Sequence, residues 1–180
     1  IDINPGFSPE KTSCIKTQKY GHAMKTAMQY RKRFWDQKNS IGQGVFTDTP
    51  LRRIYHFSID QPGPRGILLS FTSGEDAIKI GKLDENKRLN IAQNTCKKIW
   101  PEAPQYWEKG ITKYWNEDPW VKASYSVDGI GQKDFREILA KPEGPVFFAG
   151  EHTAIQRASM NGAIESGFRA TEEIKRAMKH

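Results

Sequence analysis

Residues Gly144-Pro145-Val146-Phe147-Phe148-Ala149-Gly150-Glu151-His152-Thr153, followed by a helix that begins near Ser159, set the narrowest limits on how this chain folds. The run Val146 to Ala149 is apolar, continuous and short, the pattern of a strand buried on both faces of a parallel sheet. Behind it, Met160, Ala163, Ile164, Gly167, Phe168, Ala170, Ile174, Ala177 and Met178 recur at helical spacing, which predicts an apolar face. The helix N-terminus offers free amides to an electron-rich group, and Gly162 and Gly167 permit close approach by backbone or ligand. Strand, tight turn, carboxylate and helix N-terminus in this order make a site for an anionic cofactor.

The rest of the chain mixes both kinds of element. Ile1 to Asn4 reads as a short strand before a turn at Pro5-Gly6, and Ser8-Pro9-Glu10 supplies an N-cap, a first-turn proline and an early acid for a helix to about Gln18. From Tyr20 to Trp35, Ala, Met and Gln tip composition towards helix. Ser40 to Gly44 is a loop, and Val45 to Asp48 a short strand. Arg52 to Ser58 and Ile67 to Phe71 flank the Pro/Gly-rich turn Gln61 to Gly66, the signature of an antiparallel hairpin. Ser73 caps a helix to about Ile80, and Asp84 to Trp100 is a longer amphipathic helix with Leu89, Ala92, Cys96 and Ile99 on one side, stopped by Pro101 and Pro104. Ile111 to Trp115 reads as a strand, Asp118 to Gln132 as an irregular aromatic loop, and Lys133 to Ala140 as a short helix.

Charge narrows the choice of partners. The 28 Lys and Arg outweigh 21 Asp and Glu, which raises nucleic acid as a partner. The basic residues are scattered over Lys11 to Lys19, Arg31 to Arg33, Lys97 to Lys98 and Lys175 to Lys179 without a nucleic-acid-binding signature, so no nucleic acid is expected. Cys14 and Cys96 allow one disulfide or none and fit no metal motif. His22, His152 and His180 lack metal-ligand company, and no metal is assigned. No run approaches membrane-spanning length, and the compartment stays open. The start Ile1-Asp2, without Met, reads as that of a fragment or a processed chain.

Phe147-Phe148-Ala149-Gly150-Glu151-His152-Thr153, then Met160-Asn161-Gly162-Ala163-Ile164-Glu165-Ser166-Gly167-Phe168-Arg169-Ala170, resembles the C-terminal FAD-binding motif of the flavin amine oxidase superfamily, and within it the L-amino-acid oxidases. Trp115-Asn116-Glu117-Asp118-Pro119-Trp120 with Tyr125 and Gly131-Gln132 resembles the aromatic segment upstream in that family. Ile3-Asn4-Pro5, Ser8-Pro9, Tyr20, Lys25 and Phe34-Trp35 are similar to the segment that carries a lysine beside the flavin. Thr47-Asp48-Thr49-Pro50, Arg52 and Ile54-Tyr55 are similar to a substrate-domain strand. The likeness is collinear along nearly the whole chain, and it replaces the helix over Tyr20 to Trp35 with a strand.

The resemblance implies FAD as cofactor, with Gly150 and Glu151 at the ribityl chain, Ala158, Ser159 and Met160 at the helix end beside the ring, and Trp115 against the flavin. It implies that Lys25 holds a water near the reacting position of the ring, and that Tyr55 gives its hydroxyl to the substrate carboxylate. Tyr125 and Ser159 then lie near the substrate side chain. Relatives carry tyrosine and proline where His56 and the next residue stand, and strand alternation lets only one of Tyr55 and His56 face the pocket; Tyr55 is chosen. Ser159 replaces a tryptophan found in relatives, which leaves substrate identity open.

Nothing in the chain resembles the glycine-rich strand and helix that cradle the FAD pyrophosphate. The expected fold is α+β or α/β, the C-terminal part of a two-domain FAD-linked amine oxidase. Residues 1–19 would cross over from the FAD domain, 20–140 belong to the substrate-binding domain, and 141–180 supply the last strand and helix of the FAD domain. The expected function is oxidative deamination of an L-amino acid by O2, in a homo-oligomeric enzyme whose N-terminal portion is the required partner. The alternatives are a mono- or polyamine oxidase of the same superfamily, and a non-catalytic basic binding module on a decayed oxidase fold.

Overall fold

Alternation of buried and exposed side chains, not helical spacing, governs Ala23 to Tyr30. In the computed structural model, which describes residues 3–4, 6–36 and 44–179, that segment is a strand. In chain order the elements are α1 (Pro9–Thr17), β1 (Lys19–Tyr20), β2 (Ala23–Tyr30), β3 (Gly44–Phe46), β4 (Arg53–His56), β5 (Gly66–Ser73), α2 (Gly74–Gly81), α3 (Glu85–Ile99), α4 (Ala103–Tyr106), β6 (Trp107–Tyr114), β7 (Ser126–Val127), α5 (Phe135–Ala140) and α6 (Met160–Ala177). They fall into two units, residues 22–124 and residues 1–21 with 125–180.

In the unit of residues 22–124, five antiparallel strands run in the order β3-β4-β5-β2-β6. One face is core. Met24, Met28 and Tyr30 of β2, Ile54 of β4 and Leu68 of β5 are buried with Ala77 and Ile80 of α2 and Ala92 and Cys96 of α3. Tyr30, Phe34 and Trp35 meet edge to face, with centroids 4.8 to 5.6 Å apart, so the rings interlock instead of stacking flat. Asp84 caps α3 by accepting from the Lys87 amide, and Lys97 and Lys98 sit in its last turn, where the helix dipole favours cations. The opposite face, with Lys25, Ala27 and Gln29 on β2, Leu69 and Phe71 on β5, and Ile111 and Lys113 on β6, carries no helix of this unit.

Arg88 is the exception inside α3. It is only 7% exposed and donates to both oxygens of Glu117, at 2.9 and 2.8 Å, and to the Gly81 carbonyl. Those hydrogen bonds from Arg88 hold the Glu117 carboxyl below its usual range.

The other unit joins distant segments. Ser8 caps α1, and Glu143 accepts from the Ser8 amide at 2.8 Å and from its hydroxyl at 2.5 Å. The fully buried Lys11 donates to the carbonyls of Leu139 and Lys141 at the end of α5, with its ammonium 3.7 Å from the Phe148 ring centroid. β1 pairs antiparallel with β7, and the Gly21 amide donates to the Tyr125 carbonyl at 2.9 Å. Residues 125–140, assigned from sequence to the substrate-binding portion, therefore group with the chain termini by contact.

Two expectations change. Val146 to Ala149 is not a buried strand: Val146 makes only an isolated bridge to Glu143, and no strand among the described residues offers the run a ladder. The apolar face of α6 is present as its spacing predicts, and it lies open. Met160, Ile164, Phe168 and Met178 are 86, 60, 72 and 82% exposed, and the buried side is the small-residue row Gly162, Ser166 and Ala170. The strand expected at Ile1 to Asn4 falls partly outside the described residues, and Ile3 and Asn4 are not in a strand. Of the turn at Pro5-Gly6, Pro5 lies outside them, as do residues 40–43 of the loop expected at Ser40 to Gly44. Cys14 and Cys96 are both free and buried.

Glu117→Gln should destabilise the unit of residues 22–124 by about 1–3 kcal/mol at neutral pH, less than the ~3–5 typical of a fully buried pair because the Glu117 side chain is half-exposed. The folded carboxyl titrates below its unfolded value, so this contribution is complete above the unfolded value, about 4.3, and is lost as pH falls through the folded one. The gap between wild type and variant should therefore close in acid. All five tryptophans lie between Trp35 and Trp120, so urea unfolding followed by tryptophan fluorescence at a series of pH values reads this unit alone.

Candidate functional site

At the start of α6 the backbone is arranged to leave amides free. Ser159 is extended, accepts from the Gly162 amide at 2.9 Å and donates to the Gln156 carbonyl at 2.7 Å. The Gln156 carbonyl lies so close to Gly162 that any Cβ there would overlap it, which explains that glycine; Gly167 has no such neighbour. The Ile155 amide donates to Glu165 at 3.1 Å, tying the loop to the helix. Among the described residues the Met160 and Asn161 amides have no acceptor, at the positive end of an 18-residue helix.

Glu151 fixes the approach to those amides. Its Oε1 accepts from the Ser126 amide, and its Oε2 accepts from the Ser126 hydroxyl and the Ala158 amide, all at 2.8 Å. Burial pushes the carboxyl up, but the Ser126 and Ala158 amides and the Ser126 hydroxyl outweigh it, and the group lies below the usual carboxylate range. Ala158 holds φ of +57°, a left-handed conformation that a non-glycine residue adopts only under constraint. Gly150, at φ +143°, makes the turn into Glu151, and its amide donates to the buried Ser166 hydroxyl at 2.8 Å. Burial also lowers the pKa of the neighbouring His152, which favours its neutral form.

Two cations brace the segment that leads into this turn. Arg169 donates to the Phe148 carbonyl at 2.8 Å, the Thr153 hydroxyl at 3.0 Å and the Ala140 carbonyl at 3.3 Å, and is paired with Glu173 at 2.8 Å. Lys11 takes the carbonyls of Leu139 and Lys141, on either side of the Ala140 carbonyl in sequence, and burial pushes its ammonium pKa down. Ser126, Lys11 and Arg169 were not singled out from sequence. Apart from the Arg169–Glu173 pair, their contacts here span 16 to 130 residues, and a serine or a lysine far along the chain carries no local signal of them.

In the unit of residues 22–124 the open face of the sheet collects the remaining positions. Register pairs Lys25 with Phe71 and Lys113, Arg53 with Phe71, and Tyr55 with Leu69, so all of them share that face. His56 pairs with Leu68 on the core side, where its ring lies edge-on to Trp35 at 5.5 Å. Lys25 and Tyr55 line one cavity of about 550 Å³. Trp115 opens a turn straight after β6, with the Lys113 ammonium 5.4 Å from its ring. Within the other unit, Gly150, Glu151, Ala158, Ser159 and Met160 converge, and Tyr125 adjoins them through Ser126.

The group at residues 150–161 fits a flavin. A carboxylate has about four acceptor positions; three on Glu151 are filled, which leaves one for a ribityl hydroxyl. The Met160 and Asn161 amides suit the electron-rich edge of the ring.

Comparisons with known proteins identify the family. The family model for flavin containing amine oxidoreductase matches residues 1–175. A flavin-dependent L-tryptophan oxidase of Lentzea aerocolonigenes is 29% identical, over 94% of this chain and 38% of its own length. An L-amino-acid oxidase of Siganus canaliculatus is 29% identical, over 98% of this chain and 34% of its own. Among solved structures, a putrescine oxidase redesigned in cofactor binding superposes with a TM-score of 0.85 at 21% identity, covering 98% of this chain and 40% of that one, which shows a shared FAD-linked amine oxidase fold. The chain thus spans between about a third and two fifths of the length of these three relatives.

Glu151→Gln turns one of three accepted hydrogen bonds into a donor facing a donor. The unit of residues 1–21 and 125–180 should lose about 1–3 kcal/mol, and the Ser126 and Ala158 amides should lose protection, as read by hydrogen exchange with mass spectrometry. Wild type should approach the variant as pH falls through the lowered value of the carboxyl, because the stabilisation is complete only above the usual carboxylate range.

Proposed function

Since the chain belongs to the flavin-containing amine oxidoreductase family, whose cofactor is FAD, we propose that it forms the C-terminal portion of an FAD-dependent L-amino-acid oxidase. The overall reaction converts an L-amino acid, O2 and water into a 2-oxo acid, ammonia and hydrogen peroxide. When bound, FAD supplies the two-electron acceptance that no side chain of the protein offers.

The residues of this chain hold and orient. Glu151 would accept from a ribityl hydroxyl, and the Met160 and Asn161 amides would stabilise negative charge on the flavin. Trp115 packs against the ring system. Lys25 Nζ donates to a water at the reacting face. The Tyr55 hydroxyl donates to the substrate carboxylate, and Tyr125 and Ser159 border the substrate side chain. The observation that carries this reading is Lys25 and Tyr55 in one cavity on one sheet face, in a chain whose relatives include oxidases of L-tryptophan and other L-amino acids.

The remaining part of the flavin fold is the partner this reading requires. The exposed stripe of Met160, Ile164, Phe168 and Met178 is apolar surface of the kind that marks an interface. Val146 to Phe148 are half-exposed without a ladder, as expected of a strand whose sheet is completed by that portion.

The full-length protein should be yellow, with a flavin absorption band, and should release peroxide with L-amino acids in a coupled peroxidase assay. A colourless full-length protein that takes up no FAD would overturn the proposal. In a fluorescence titration, residues 1–180 alone should bind FAD at least about a hundredfold more weakly, since they carry only one wall of the site.

A further inference from the structure

Arg157 stands one residue before Ala158 and reaches across to the end of β7. Its guanidinium is paired with Asp128, and its Nη2 lies 3.5 Å from the Ser126 hydroxyl oxygen. The arginine side chain is 16% exposed while that of Asp128 is 60% exposed, so the cation lies against the protein and its partner faces water. Ser126 is buried, with this cation on one side of its hydroxyl and the Glu151 carboxylate at 2.8 Å on the other. A serine hydroxyl has one proton to give, and arginine has donors but no acceptor. Beside Arg157 the Ser126 oxygen can therefore only accept, and its proton is left for Glu151 Oε2. The same carboxylate oxygen accepts from the Ala158 amide. Residues 157 and 158 thus hold one carboxylate by two routes, one through Ser126 and one directly. Among the described residues, the other titratable groups within reach of the Glu151 charge are Tyr20 of β1 and His152. Burial raises the Tyr20 phenol and lowers the His152 imidazole, which keeps both neutral near pH 7 and leaves Arg157 as the cation of the group.

We infer that Arg157 is a positioning residue: by fixing the direction of the Ser126 hydroxyl, it keeps Glu151 an ionised, acceptor-only group towards the flavin. An ionised carboxylate offers its remaining lone pair to an incoming hydroxyl, and each hydrogen bond it accepts is charge-assisted. A hydroxyl free to turn its oxygen towards Glu151 would favour the protonated acid, which then presents a donor to the Ser126 and Ala158 amides. This rests on the flavin reading of residues 150–161 and adds to it a residue that acts through Ser126.

The test uses the full-length protein, stripped of flavin and titrated with FAD by fluorescence quenching across a series of pH values. Arg157→Met, which keeps the stem and removes the donors, should weaken FAD about five- to tenfold, the size of one hydrogen bond, and should move the acid limb of the affinity profile to higher pH. The folded Glu151 carboxyl lies below the usual range, so its contribution is complete above that range and is lost as pH falls through the folded value; without Arg157 that value rises. Ser126→Ala should give the same shift, and Arg157→Met added to it should give none further. Arg157→Lys, which keeps a cationic donor, should lie between wild type and Arg157→Met. An unchanged profile, a loss equal at every pH, or a second full shift in the double variant overturns the inference. Where circular dichroism shows Arg157→Met unfolded, Arg157→Lys in the wild-type and Ser126→Ala backgrounds makes the same comparison. Failure of the wild-type protein to take up FAD refutes the flavin reading, and Arg157 is then decided on the flavin-free protein by hydrogen exchange. There the Ser126 and Ala158 amides should lose protection at higher pH in Arg157→Met than in wild type, and loss in step with wild type overturns the inference.

Discussion

The carboxylate of Glu151 is the interaction on which the candidate flavin wall depends. A half-buried anion is stable only if its lost hydration is replaced, and here three donors from two separate segments replace it. That requirement fixes the loop. Ala158 is drawn into a left-handed conformation to aim its amide at Glu151, Ser159 then caps α6, and the Met160 and Asn161 amides stay free. Strain at Ala158 and hydrogen bonding at Glu151 are two sides of one arrangement, in which the loop is held by the charge it surrounds.

The sheet solves a different problem. An antiparallel sheet can cover one face with helices and leave the other for function. Met24, Met28, Ile54 and Leu68 go beneath α2 and α3, while Lys25, Arg53 and Tyr55 stand on the opposite side. A one-residue slip of β2 would exchange the two sets and bury Lys25, so the packing of the core and the placing of the lysine are a single constraint. The paired Arg88 and Glu117 show what such burial demands when a charge does go inside.

Much of this was legible in the chain because it is local. Ser8 and Ser159 act as the caps their positions suggested, Ser73 precedes α2 without a side-chain cap bond, the strands at Arg53–His56 and Gly66–Ser73 pair as a hairpin, and Gly162 answers a close backbone approach. β2 was ambiguous on composition: Ala, Met and Gln carry helix propensity, and burial on alternate positions overrides it. The motif around Gly150 and Glu151 identified the family but not the donors, because Ser126 reaches Glu151 from 25 residues away. The apolar stripe of α6 was legible as apolar, and Val146 to Ala149 as an apolar run but not as a segment without a ladder, since periodicity reports which face avoids water and not whether a neighbour is present.

Lys11 ties α1 to the carbonyls of Leu139 and Lys141, 128 and 130 residues away in sequence. During synthesis α1 emerges long before its partners do, and the whole antiparallel sheet is made in between. The sheet has its hairpin contacts close in sequence and can form as it appears, whereas α1 must wait for a contact of high loop-closure cost. The buried ammonium acts as a latch: the discontinuous unit closes only once α5 has been made, and the segment through Phe148 and Gly150 is braced by a helix that was waiting for it.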